Sequence, residues 1–130
     1  MPQILVDTNI FIAVLTDEEE RHADAEQLLN ADHDLTTTLL NLMEIRSVLS
    51  HKKHVKRAEI ENTIEDLQTS IDVIIPDSQD ALTANRLQEE TYLYPLDSLL
   101  LAVAENAGIR LASFDAELLE HGASAPSECL

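Results

Sequence analysis

Ile4-Leu5-Val6-Asp7-Thr8-Asn9-Ile10-Phe11 is the stretch on which the reading of this chain turns. The apolar run makes a short buried strand, and the polar residues after it make a turn. A helix then begins near Asn9 and carries Ile10, Phe11, Ile12, Val14 and Leu15. Asp7 stands at the junction of the two elements. A carboxylate so close to core segments is costly to desolvate unless it is paired, hydrogen-bonded or bound to a cation.

Outward from this junction, short strands and helices alternate. Strands are expected at 35–38, at 71–75 (β-branched, buried and closed by Pro76) and at 111–113. The acidic run 17–20 starts a helix whose apolar positions are Ala25, Leu28 and Leu29, and 32–34 form a turn. Helices follow at 39–49, with N-cap hydroxyls available from Thr36 to Thr38, and at 58–67 through Ile60, Ile64 and Leu67. Ser78 or Asp80 caps a further helix through Ala81, Leu82, Leu87 and Glu90. Pro95 breaks the chain before a broad apolar helix that ends at Gly108, a C-cap residue. A short helix at 116–119 precedes a loose tail over 122–130. The pattern implies one α/β domain spanning residues 1–130, a three-layer α/β/α sandwich around a central parallel sheet.

In open parallel sheets, functional groups collect beyond the carboxyl ends of the strands. Asp7 and Asp115 both occupy such ends, Asp115 after the run Arg110-Leu111-Ala112-Ser113-Phe114. Glu44 interrupts the apolar helix Leu39-Leu40-Asn41-Leu42-Met43-Glu44-Ile45, and Asp97 opens another after Tyr94-Pro95-Leu96. Asp7, Asp97 and Asp115 can each serve as a simple helix cap. Glu44 has apolar neighbours and turn-mates, and its structural alternatives are a snorkelling side chain or a pair with Arg46 or a neighbouring helix. Brought together, the four acids form a hard oxygen site suited to Mg²⁺ or Mn²⁺. Two such ions about 3.5–4 Å apart stabilise both the attacking and the leaving oxygen of a phosphodiester.

Composition limits the alternatives. With 130 residues, 45% of them hydrophobic, the chain can bury a sufficient core. Its N-terminal apolar stretch has no basic flank and is broken by Asp7 and Asn9, so neither a secretory signal nor a membrane span is expected. Cys129 is the single cysteine, which excludes an intrachain disulfide and fits a reducing cytoplasm. The formal net charge of -17 is far from neutral for a folded domain. Self-repulsion of that size opposes compaction in dilute salt. We read it as adaptation to a salt-rich cytoplasm such as that of halophilic archaea, where a Debye length of about 3 Å at molar salt removes most of the repulsion. The cations are clustered: Arg46, Lys52, Lys53, Lys56 and Arg57 fall in one segment with His51 and His54. Such a patch can grip a phosphate backbone, or simply sit at the negative end of a helix dipole.

Other chemistries fit less well. A haloacid-dehalogenase-type phosphatase requires aspartate where Asn9 stands, and a receiver domain requires a late lysine, yet none follows Lys56. His51 and His54 lack the accompanying ligands of a zinc site. There is no glycine-rich phosphate loop. Aromatic residues are few, which limits recognition by base stacking.

The chain resembles the PIN-domain ribonucleases, most closely the small toxins of VapBC-type toxin–antitoxin pairs. The resemblance spans nearly the whole length through four ordered segments. They are Val6-Asp7-Thr8-Asn9-Ile10-Phe11, Asn41-Leu42-Met43-Glu44-Ile45, Pro95-Leu96-Asp97-Ser98-Leu99-Leu100-Leu101-Ala102-Val103-Ala104 and Gly108-Ile109-Arg110-Leu111-Ala112-Ser113-Phe114-Asp115. It implies a metal-dependent endoribonuclease that leaves phosphate on the downstream fragment. Asp7, Glu44, Asp97 and Asp115 correspond to the catalytic and metal-binding acids, and Asn9 to the polar helper beside the first. Ser113 replaces a frequent threonine and retains the hydroxyl. The resemblance further implies a homodimer, an RNA substrate and an antitoxin partner whose basic tail enters the site. A non-catalytic PIN-like binding module and an RNA-processing nuclease without a toxin role are the competing readings.

The charge argument yields its own expectation. Thermal melts should show higher stability, and solubility should rise, in molar KCl relative to dilute buffer. Stability that fell steadily with added KCl would contradict the salt-adaptation reading.

Overall fold

A computed structural model of the protein describes residues 3–130. It is an α/β/α sandwich whose four strands are β1 (Gln3–Val6), β2 (Asp34–Thr38), β3 (Asp72–Ile74) and β4 (Arg110–Ala112). Their order in the sheet is β3-β2-β1-β4, and every neighbouring pair is parallel. β1 is therefore central, with Leu5 opposite Thr36 on one side and Leu111 on the other. Because β2 and β4 flank β1 on opposite sides, the sheet has its topological switch point between β1 and β4.

Alternation along β1 builds the two cores. Ile4 and Val6 point to one face, where they join Ile10 and Phe11 of α1 (Thr8–Leu15), Leu28 of α2 (His22–Leu29), Ile45 of α3 (Leu39–Ser47), and Ile60 and Ile64 of α4 (Arg57–Ser70). Leu5 points the other way, to Leu87 of α5 (Ser78–Thr91), Val103 of α6 (Pro95–Ala107) and Leu118 of α7 (Ala116–Glu120). The period-two pleat thus places helices on both faces of the sheet. Thr36, Thr37 and Thr38 occupy the middle layer fully buried, and the Thr37 hydroxyl donates to the Val6 carbonyl at 2.9 Å.

Several local expectations need correction. α2 begins at His22, because Asp17 adopts a positive φ of 52° and the residues up to Arg21 form turns. The strand expected at 71–75 is a half-buried edge of three residues, and Ile75 is 73% exposed. α5 is capped by neither Ser78 nor Asp80 but by Asp77. Asp77 and Asp80 exchange reciprocal hydrogen bonds with each other's backbone N–H, both at 3.0 Å. α3 stops at Ser47 and continues as a π-helical turn over Val48–Lys52. Gly108 does close α6, in the left-handed conformation at φ 67° that glycine adopts without steric cost.

The largest departure lies at the C-terminus. The segment read as loose is ordered: Ser124 pairs with β4, donating to the Leu111 carbonyl at 2.8 Å and accepting from the Ser113 N–H at 3.0 Å. Pro126–Cys129 then forms a 3-10 turn that buries Pro126 and Cys129. Hydrophobicity in this tail is sparse, so its role in the core is carried by two small residues. Among the described residues, no helix is long and apolar enough to cross a membrane.

Removing residues 124–130 should cost about 3 kcal/mol, the scale of burying two such side chains. A truncated protein with an unchanged denaturation midpoint would show that the segment merely rests on the core.

Candidate active site

Asp7 follows the last residue of β1 and is itself the N-cap of α1. Its Oδ1 accepts from the Thr8 N–H at 2.7 Å and from the Asn41 amide at 3.4 Å. Its Oδ2 accepts from the Ser113 hydroxyl at 2.8 Å. The capping role and the site role therefore coexist in one side chain. Only 7% of Asp7 is exposed, and its pKa is raised from 3.8 to about 6. Burial is the main cause, the Ser113 and Thr8 bonds act against it, and the charges of Glu44 and Asp97 add to the rise.

Three further elements bring acids towards it. Glu44 lies on α3, one helical turn after Asn41, and is exposed. Asp97 occupies the first turn of α6 behind Pro95. Its pKa is also raised to about 6, first by desolvation and then by Asp115, Glu44 and Glu117. Asp115 caps α7 through Oδ1, which accepts from the N–H groups of Glu117 at 2.9 Å and Leu118 at 3.2 Å. Asp7, Glu44, Asp97 and Asp115 line a single cleft of about 330 Å³. One carboxylate oxygen from each of Asp97, Asp115 and Glu117 lies within 4.8 Å of the others. This is an all-oxygen cluster able to hold a metal ion.

Ser113 and Asn9 tie the strand ends together. The Ser113 oxygen that donates to Asp7 also accepts from the Asp115 N–H at 2.9 Å and from the Asn9 amide at 3.3 Å. The Asn9 carbonyl oxygen accepts from the Phe114 N–H at 3.2 Å. On the other side Asn41 donates to Thr8 Oγ1 at 2.9 Å, and its own carbonyl oxygen accepts from the Thr38 hydroxyl at 2.7 Å.

The basic segment divides. Lys52 and Lys53, delivered by the π-helical turn, line the acidic cleft. Arg46 does not reach Glu44 and is instead bound by Glu61, while Arg46 and Arg57 line a separate groove with Met43 and His51. Lys56 is exposed at the N-cap of α4.

Sequence reasoning missed Glu117, Asn41 and Arg21, whereas Thr38, one of the expected cap hydroxyls, does cap α3. Glu117 was detectable as a second acid two residues after Asp115. Asn41 was detectable as a polar residue one turn before Glu44 on the same face. Arg21 stacks over the Phe114 ring at 5.0 Å beside Asp115, a contact with no local signal.

A parallel sheet carrying acids beyond the carboxyl ends of its central and edge strands, joined there by helix-borne carboxylates, defines a compact acidic-centre α/β domain. The PIN domain model matches residues 4–123, and the chain belongs to the PIN-domain family. No curated protein sequence matches it significantly. Solved structures share the fold at low identity. The toxin-antitoxin complex from Klebsiella pneumoniae matches with a TM-score of 0.78 and 20% identity, over 95% of this chain and 97% of that one. VapC20 from Mycobacterium tuberculosis, a sarcin-ricin loop cleaving toxin, also gives 0.78, with 22% identity over 93% and 96%. PAE2754 from Pyrobaculum aerophilum gives 0.72, with 22% identity over 98% and 92%.

The raised pKa of Asp7 has a definite sign in the metal-free protein. The native state holds this proton up to about pH 6 and the unfolded chain only to about pH 4, so the contribution to stability is present below pH 4 and lost as pH rises through 6. Asp7→Asn should therefore stabilise the metal-free protein at pH 7.5, by at most about 3 kcal/mol for a shift near two units. At pH 4 the two proteins should melt nearly together. Equal differences at both pH values would contradict the assignment.

Proposed function

We propose that the protein is an Mg²⁺- or Mn²⁺-dependent endoribonuclease and the toxin of a type II toxin–antitoxin pair. The observation that carries this reading is the convergence of Asp7, Glu44, Asp97 and Asp115 on one cleft that also holds Lys52 and Lys53. Asp7 and Asp97 have raised proton affinity, and among the described residues none of the four acids has a cationic partner, which suits a hard divalent ion that offsets the repulsion among them. When bound, the metal supplies charge neutralisation at the phosphate and lowers the pKa of a bound water.

The side chains divide the remaining work. Asp97, Asp115 and Glu117 offer the tightest group of ligand oxygens, with Asp7 and Glu44 completing the wall. Ser113 and Asn9 act as positioning residues. They fix the Asp7 carboxylate relative to Asp115, so that both keep one orientation without metal. Lys52 and Lys53 contact backbone phosphates beside the scissile one. Arg46 is occupied by Glu61 and has a smaller part in this scheme.

The toxin role is supported by membership of the PIN-domain family and by solved neighbours described as toxins or toxin-antitoxin complexes. An antitoxin partner, a homodimer and a cytoplasmic setting belong to the same proposal. A salt-rich host is supported by the charge of -17 alone.

Cleavage of candidate RNAs in Mn²⁺ tests the centre. Asp7→Asn and Asp97→Asn should each lower the rate about a hundredfold or more. Ser113→Ala should lose about ten- to a hundredfold in activity or metal affinity. If the parent and both aspartate variants cleave alike, the acids are not the catalytic centre. Calorimetry in high KCl that showed no specific divalent-ion binding would favour a binding module.

A further inference from the structure

The two tyrosines of this chain are both exposed and lie two residues apart: Tyr92 is 90% and Tyr94 is 72% accessible, around a buried Leu93. We propose that Tyr94, with Tyr92 beside it, forms a base-stacking platform for single-stranded RNA at the start of α6, the helix whose first turn carries Asp97. This rests on the ribonuclease reading and adds to it a salt-tolerant grip on the substrate.

The loop breaks local rules to present these rings. Tyr92 is the C-cap of α5 in the left-handed conformation at φ 60°, a position where glycine or asparagine is favoured and a bulky side chain is strained. Tyr94 is the N-cap of α6 and makes no side-chain capping bond, where serine, threonine, aspartate or asparagine would satisfy a free N–H. Among the described residues, neither phenol has a hydrogen-bond partner. Leu93 is buried and Pro95 fixes the first helical position, so the loop is anchored between the rings. Local rules broken without a compensating internal contact mark positions serving something outside the fold.

Their place gives the occupant. Asp97 is the third helical residue after Tyr94, so the two stand one turn apart at the start of α6. Leu96, between them, shares a recess with Asp7, Glu44 and Asp97. A strand of RNA whose phosphate sits at the acids therefore carries a neighbouring base past Tyr94. Charge favours the same conclusion. The net charge of -17 opposes a polyanion, and Lys52 and Lys53 are the only lysines lining the cleft. Ionic contacts weaken further as salt rises. Stacking on an aromatic face carries no such penalty and accepts any base.

The chain has two tyrosines and no tryptophan, so its intrinsic fluorescence reports on this loop alone. Short single-stranded oligouridylate and oligoadenylate are titrated into the full chain in KCl with Ca²⁺ in place of Mg²⁺ or Mn²⁺, which keeps divalent charge at the acids, and RNA recovered intact separates binding from cleavage. RNA should quench the tyrosine emission. Tyr94→Ala should weaken binding about fivefold or more, while Tyr94→Phe stays close to the parent. The slope of log K against log [KCl] should be the same in parent and Tyr94→Ala, since no phosphate contact is lost. Tyrosine emission unmoved by RNA, or equal affinity in parent and Tyr94→Ala, overturns the platform. So does a Tyr94→Ala variant that turns a dimer into a monomer and leaves RNA affinity per protomer intact, since the rings then form a protein interface. Quenching in a parent that never cleaves RNA in Mn²⁺ supports the platform and sinks the nuclease. Cleavage that persists with unchanged KM in Tyr94→Ala sinks the platform alone.

Discussion

The arrangement depends on a buried carboxylate that the fold does not neutralise. Asp7 is held by three hydrogen bonds, from Thr8, Asn41 and Ser113, and, among the described residues, by no cation. Hydrogen bonds replace much of the hydration it loses but leave its charge facing Glu44 and Asp97. A protein selected only for stability would place an apolar or amide side chain here. Retaining the charge adds to the repulsion among the acids of the cleft, which a bound cation would relieve.

Topology explains why that site forms at this place. β1 lies between β2 and β4, and the switch in strand order falls between β1 and β4. The loops leaving these two strands diverge to opposite faces and leave a crevice between them. Asp7 and Asp115 stand on its two walls, bridged through the Ser113 hydroxyl. β2 on the far side feeds directly into α3 through Thr38, which caps it and bonds to Asn41. That connection sets the azimuth of α3, and therefore the direction of Glu44. Pro95 starts α6 with a fixed φ, so Asp97 arrives in the first turn. Each acid is thus positioned by a strand end or a helix start, where backbone geometry is best defined.

Much of this was legible in the chain, for identifiable reasons. The apolar run at β1, its period-two split between the cores and the break at Asp7 are local features, as are Pro95 and Gly108. The carboxyl-end rule then turns Asp7 and Asp115 into neighbours without any knowledge of packing. What escaped depends on partners distant in sequence. Arg46 stands two residues from Glu44, yet it turns to Glu61 on α4, because i and i+2 do not share a helix face. Lys52 and Lys53 reach the cleft through a π-helical turn, which shifts residues around the axis relative to a continued α-helix. The ordering of Cys129 depends on packing of its turn against α2 and the core, invisible in a tail of small residues.

Electrostatics finally connects the site to the whole surface. A patch of five cations in one segment suggests a strong local attraction for phosphate, but pairing reduces it. Arg46 is compensated by Glu61, and Arg57 adds a weaker interaction with the same acid. The cleft itself carries Glu18 in addition to the four proposed ligands, opposed by Lys52 and Lys53. Without metal, the potential there is negative on a negative body, and a polyanion gains little from approaching it. Bound divalent charge reverses the sign only locally, over a Debye length of about 10 Å at 0.1 M salt and about 3 Å at 1 M. Substrate selection on such a surface must therefore act at contact range, through ligand oxygens, two lysines and whatever apolar surface borders the cleft. For the proposed RNA substrate, long-range steering would contribute little on such a surface, and selection would fall to shape and stacking at contact.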